Sequence, residues 1–283
     1  MSGFALSAAA NWNDFKGRAV LVTGGTKGIG LATGLAFACR GADVTLTHKW
    51  GSADLGVINT AFADAGAAAP HIVDADASQE EDVRAVMSGI RERHGALHAF
   101  ISNVAFAPGV HSFEEYSRRG IASAIDYSVW PIVSHTRAAK EIFGTYPRYV
   151  VAMSSEGADF YHVNYDIVAA AKAALEALCK YMNQRLRAHG TRVNVLRTRF
   201  TRTDSMRAVF GEEFEGFLDK HQPGVFTDAN EVGDAAVGLC SGLMDAVGGQ
   251  IVTVDHGANL FDNFSRLYAE RDKGTLAPRK KTP

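Results

Sequence analysis

The chain has 283 residues, 47% of them hydrophobic and 21% charged, with a formal net charge of −2. That is a globular composition with enough apolar residues for a substantial core, and it carries no electrostatic footprint for nucleic acid or an anionic membrane. Three widely spaced cysteines, Cys39, Cys179 and Cys240, argue against a disulfide framework or a cysteine-based metal site and suit a reducing cytoplasm. The first residues lack the pattern of a signal peptide, and no uncharged apolar run approaches membrane-spanning length, so a cytoplasmic protein is expected.

Residues 1–15 read as an N-terminal extension. Short runs rich in Val, Ile, Leu or Thr then alternate with helical stretches. Strands are expected at Arg18–Thr23, Ala42–Thr47, His71–Asp74, Leu97–Ser102, Arg148–Met153, Arg192–Leu196 and Gln250–Val254. Each is apolar on both faces, as strands are when helices cover both sides of a parallel sheet. Helix starts are marked by capping patterns at Ser78-Gln79-Glu80-Glu81 and Ser112-Phe113-Glu114-Glu115, and by Asp228 ahead of Glu231. The alternation implies an α/β fold, one doubly wound domain over residues 16–262, with helices on both faces. Residues 263–283 read as a solvated tail.

The first strand runs into Thr23-Gly24-Gly25-Thr26-Lys27-Gly28-Ile29-Gly30. Glycines at a strand-to-helix turn allow positive φ and let backbone amides approach a pyrophosphate, and the helix N-terminus adds partial positive charge. Gly24, Thr26, Lys27, Gly28, Ile29 and Gly30 are therefore expected to bind a dinucleotide. NAD sites usually end the second strand with Asp or Glu, which bonds the ribose 2′-hydroxyl. Here that end reads Thr47-His48-Lys49-Trp50, with no carboxylate. His48, Lys49 and Lys27 suit a 2′-phosphate instead, so NADPH is the expected cofactor.

These residues, with Asp76 after the third strand, Asn103-Val104-Ala105 after the fourth and Asp255-His256-Gly257 after the last, resemble the short-chain dehydrogenase/reductases over about residues 16 to 260. The resemblance implies a Rossmann-like sheet of about seven parallel strands, usually in homodimers or homotetramers. It places Asp76 and Ala77 beside the adenine, and Asn103 and Ala105 along the ribose. Common members carry their tyrosine acid four residues before a lysine, but four before Lys172 stands Val168. Tyr165 stands seven before it, nearly two helical turns, so both side chains still share a face. This spacing resembles the divergent branch that contains the enoyl-acyl-carrier-protein reductases. So do Phe106-Ala107-Pro108-Gly109 and Ser128, which stands where the common branch has a catalytic asparagine. After the sixth strand the family's Pro-Gly is replaced by Arg197-Thr198-Arg199-Phe200-Thr201-Arg202-Thr203. Thr201 and Thr203 fall where the nicotinamide carboxamide and pyrophosphate are bonded. Arg197 and Arg199 read either as surface or interface residues or as cations for an acidic substrate group.

Hydride arriving at a substrate leaves negative charge on an oxygen, and a preorganised donor must meet it. Tyr165 is the expected donor and Lys172 its cationic partner, which lowers the phenol's pKa and bonds the ribose. Ser155 supplies a second hydroxyl. Tyr161, one turn earlier, is either a substrate contact or a packing aromatic. The ten histidines show no metal-ligand spacing, so no metal is expected. Residues 203–223, with Phe210, Phe214 and Phe217 at helical spacing, form a possible substrate lid. The leading functional reading is reduction of an enoyl thioester, on a small-molecule or acyl-carrier-bound substrate, with no nucleic-acid or membrane partner. The alternatives are a ketoreductase acting on a polyketide-type ketone and, in a different class, a non-catalytic NADPH or metabolite sensor.

Overall fold

The computed structural model describes residues 14–49, 53–222 and 224–260, together with Ser265 and Tyr268. Residues 1–13, and the tail apart from those two positions, lie outside the described residues. In chain order come β1 (Ala19–Val22), α1 (Gly28–Ala38), β2 (Asp43–His48), α2 (Leu55–Asp64), β3 (His71–Asp74), α3 (Glu80–Arg91) and β4 (Leu97–Ser102). Then follow α4 (Arg118–Ser128), α5 (Trp130–Phe143), β5 (Tyr149–Ser155), α6 (Asp166–Leu186), β6 (Arg192–Thr198) and β7 (Phe200–Thr201). The last elements are α7 (Asp204–Phe210), α8 (Glu212–His221), β8 (Phe226–Thr227), α9 (Ala229–Cys240) and β9 (Ile251–Val254).

Seven strands form one sheet in the order β3-β2-β1-β4-β5-β6-β9, with every pair parallel. Strand β1 shows why both faces are apolar. Ala19 and Leu21 enter one core with residues of α3 to α6, while Val20 and Val22 enter the other with α1, α2 and α9. Side chains alternate along a strand, so a β-strand buried on both faces must be hydrophobic throughout. The chain leaves β1 toward β2 and β3 on one side and returns to β4 on the other. The crevice at this reversal, beyond the strands' carboxyl ends, is where doubly wound sheets bind ligands. Phe15, in the expected extension, is fully buried in the α1 side of the core, so the packed body begins before Lys16.

The capping patterns divide. Asp228 and Glu231 close a complete capping box at α9. Ser78 does not cap α3, which starts one residue later with Gln79 at its cap. Its N–H and hydroxyl donate instead to Asp76 Oδ1 at 3.0 and 2.8 Å, a local side-chain turn ahead of the helix. Ser112 precedes only a single 3₁₀ turn, Phe113–Glu115, and Ser117 caps α4. The small β7–β8 pair, Phe200 opposite Phe226 and Thr201 opposite Thr227, is not legible in the sequence. It roots α7 and α8, whose Met206 and Leu218 form a satellite core with Phe200 and Val225. Phe210 and Phe214 pack against it, whereas Phe217 is exposed with its ring against His221. Among the described residues no helix is long and apolar enough to cross a membrane.

Candidate active site

A cavity of about 530 Å³ opens at the sheet's carboxyl edge. Gly24, Thr26, Lys27, Gly28, Ile29, His48, Lys49, Asp76, Ala77, Asn103, Ala105, Lys172, Thr201 and Thr203 all line it. Gly30 stands just behind. A Cβ there would fall 2.2 Å from the Gly24 carbonyl oxygen and 2.6 Å from Asn103 Nδ2, so only glycine lets the turn close. Gly24 and Gly28 have φ of 60° and 54°, the left-handed region that favours glycine. Asn103 holds the turn by donating from Nδ2 to the Gly24 and Thr23 carbonyls at 2.9 and 3.2 Å.

These residues fit a dinucleotide. Lys27 caps α1 without any side-chain acceptor, so the helix's first amides carry no side-chain cap at the cavity wall. Thr201 Oγ1 and His48 Nδ1 are buried without a hydrogen-bond partner at its two ends, where a ligand's polar groups would satisfy them. Thr203 caps α7, accepting from the Met206 N–H at 3.2 Å, and its methyl approaches Gly28.

At the adenosine end Lys49 is already paired. Its ammonium forms an ion pair with Asp76 and donates to the Tyr127 hydroxyl at 2.9 Å. Burial works against both charges. The bonds to Asp76 and Tyr127 outweigh it and hold Lys49 above its usual range, while bonds from Lys49 and Ser78 hold Asp76 below its own. Asp76, expected as an adenine neighbour, thus also balances the charge of Lys49, the cation expected to meet a 2′-phosphate.

At the opposite end Tyr165 caps α6 and shares a hydrogen bond with the Ser155 hydroxyl. Lys172 is buried and donates from Nζ to the Met153 carbonyl at 2.8 Å. Burial pushes its pKa down to about 8, against the pull of Glu176. Tyr165 is held above the usual phenol range, by burial first and by Glu156, with the Ser155 bond pulling the other way. Burial is the leading cause of the phenol's shift, and Lys172 is not among its causes. The result suits a donor: the phenol keeps its proton. Its ring lies on the backbone of Gly157, where a Cβ would come within 2.6 Å of Cδ1 and Cε1. The Phe210 ring stacks near-parallel at 6.2 Å. Ser128 Oγ accepts from the Phe106 N–H at 3.0 Å and so anchors the Phe-Ala-Pro-Gly stretch. Tyr161 is 82% exposed, so it is not a packing aromatic.

Arg197 and Arg199 are both internal. Arg197 is buried, with Nε 3.0 Å from Glu176 Oε1 and a further ion pair to Asp159. Glu176 also accepts the Ser154 hydroxyl at 2.7 Å. Arg199 lines the cavity, but its Nε lies 2.8 Å from Glu156 Oε1 and its Nη1 donates to the Ala258 carbonyl at 2.7 Å. Neither a surface position nor a free anion-binding role describes Arg197, since its charge is neutralised inside the fold. Sequence reasoning missed Glu156 and Glu176, and it favoured a structural or solvent-facing place for His162, which lines the cavity. Only Glu176 left a signal, four residues beyond Lys172 on the same helical face.

The family described as Enoyl-(Acyl carrier protein) reductase matches residues 24–259. The NADH enoyl-acyl-carrier-protein reductase of Aquifex aeolicus is 28% identical over 262 residues, covering 89% of this chain and 94% of that protein. The 1-cyclohexenylcarbonyl-CoA reductase of Streptomyces collinus is 26% identical over 247 residues, covering 85% and 86%. Among solved structures, a short chain dehydrogenase from Burkholderia cenocepacia J2315 in complex with NADP superposes with a TM-score of 0.76, at 23% identity, over 87% of this chain and 99% of that one. That last likeness speaks for the fold. With the glycine turn, the seven-stranded parallel sheet and a family match across most of its length, this chain belongs to the short-chain dehydrogenase/reductase family, resembles its enoyl reductase branch, and is an NAD(P)H-dependent oxidoreductase.

Proposed function

We infer that the protein is an NADPH-dependent reductase acting on the activated C=C bond of an enoyl thioester or related unsaturated carbonyl compound. The observation that carries this is the half-buried Tyr165, seven residues before Lys172, in the wall of the cofactor-sized cavity. The nicotinamide supplies hydride when bound. A conjugated acceptor collects charge on an oxygen two bonds from the carbon that receives hydride, so its donor stands farther from the hydride path than a ketone's would. The longer Tyr–Lys spacing sets the hydroxyl in that direction. In this reading Lys172 bonds the ribose and Tyr165 holds the enolate oxygen. The names of the Aquifex and Streptomyces relatives, both enoyl-type reductases, agree with this reading.

Ketone reduction is the second reading, favoured by the Ser155–Tyr165 hydroxyl pair, which is the arrangement that polarises a carbonyl at the hydride-receiving carbon. Deuterated cofactor separates the two. Deuterium on a saturated β-carbon is the expected product, and deuterium on a new carbinol carbon would overturn the C=C assignment.

The cofactor preference rests on the end of β2, which carries His48 and Lys49 and no carboxylate, and on exposed Lys27 in the glycine turn. A 2′-phosphate would share Lys49 with Asp76. Charge-assisted bonds of this kind are worth roughly 1.5–3 kcal/mol, so NADPH is expected to bind about tenfold or more tightly than NADH. In Lys49→Ala the preference should shrink toward parity. Fluorescence titration of both cofactors checks it, and equal or tighter NADH binding by the wild type removes the argument.

A further inference from the structure

Glu156 follows Ser155 directly and is buried beside the cavity, 2% exposed. Two nitrogens converge on its Oε1, Arg199 Nε at 2.8 Å and His162 Nε2 at 3.2 Å. No well-formed hydrogen bond reaches either carboxylate oxygen. Arg199 alone balances the carboxylate's charge, so an imidazole on the same oxygen is more than charge compensation requires.

His162 lines the cavity. Its Nε2 is engaged by Glu156, and its Nδ1 has no partner among the described residues. The ring is held edge-on to Tyr165 at 6.0 Å, to Phe200 at 5.9 Å and to Phe210 at 6.1 Å. The Tyr165 N–H donates to the His162 carbonyl at 3.2 Å, tying the two residues together. An imidazole with one nitrogen set against a buried carboxylate, and the other unpaired, is the arrangement that carries protons in acid–base sites.

We propose that His162, positioned by Glu156, is the acid that protonates the substrate's α-carbon while Tyr165 holds the oxygen. This rests on the enoyl reading. The β-carbon receives hydride from the reduced nicotinamide, and the C=C π pair moves to give an enolate whose oxygen takes the Tyr165 hydrogen bond. The enolate's electron pair then forms a C–H bond at the α-carbon with the proton of the His162 imidazolium, and the C=O bond reforms. His162 is left neutral and regains a proton from water, which its side chain reaches at 16% exposure. The sum is one enoyl compound, one NAD(P)H and one proton converted to the saturated product and NAD(P)⁺.

The test is the configuration at the α-carbon when an α-methyl enoyl thioester is reduced with deuterated cofactor. Wild type should give one configuration, because the proton comes from one fixed side. His162→Gln and His162→Phe should lose about 10²-fold in kcat, the low end for a missing general acid. They should keep deuterium at the β-carbon but give mixed α-configuration, since water then protonates from either face. Cofactor titration shows that each variant is folded. A single unchanged configuration in either folded variant overturns the proposal, and so does mixed configuration from the wild type. A wild type that leaves the C=C bond untouched instead overturns the enoyl reading, and it does so before any variant is made.

Discussion

Replacing Tyr165 with phenylalanine is expected to lower kcat by about 10²–10⁴-fold, the usual contribution of a positioned acid, while cofactor affinity stays within about twofold of wild type. Only the hydroxyl is removed. The ring keeps its seat on Gly157 and its stack with Phe210. The phenol's elevated pKa keeps it protonated at neutral pH, so the wild-type group is a ready donor and not a standing anion. Lys172, held by the Met153 carbonyl, does not depend on the hydroxyl for its position. Steady-state kinetics with a fluorescence titration of the cofactor separates the two effects. A variant with wild-type kcat would show that Tyr165 is not the oxygen's donor.

Gly157→Ala should lower kcat by about 10²-fold, the scale of a misplacement near 1 Å at a reacting group, with little change in cofactor binding. A Cβ at this position meets Tyr165 Cδ1 and Cε1 at 2.6 Å and His162 Cδ2 at 3.5 Å. The tyrosine ring has to move, and Phe210 and His162 limit where it can go. Gly157 is not among the residues with positive φ, so the backbone itself accepts alanine. The comparison of kcat with cofactor Kd decides: a loss confined to kcat marks displacement of the acid, whereas wild-type kcat would mean that the ring has room the geometry denies it.

What the sequence made legible is local. The seven expected strands lie within two residues of those observed at either end, because apolar runs bounded by turn residues depend only on neighbours in the chain. The glycine turn is readable for the same reason: its φ requirements and its place between strand and helix are written in one short stretch. Long-range pairings were not readable. Lys49 looks like a free cation until Asp76, twenty-seven positions on, is seen to meet it. Arg199 and Glu156 are forty-three positions apart and share a site only because β5 and β6 are adjacent. Tyr161 and Tyr165 are one turn apart by count, yet an irregular loop precedes α6, and helical spacing does not apply there.

The two arginine–glutamate pairs also constrain how this sequence can change. A descendant that lost the arginine at position 199 in one step would strand Glu156 in the interior, with only His162 beside it among the described residues. Removing one member of a buried pair costs about 3–5 kcal/mol, a large part of a typical domain's stability. Position 197 is tied to Glu176 in the same way. The ancestral route into this arrangement, and any route out of it, therefore runs through paired substitutions. Lineages carrying one arginine of a pair without its glutamate should be rare, and drift at 156 and 199, or at 176 and 197, should be correlated and not independent.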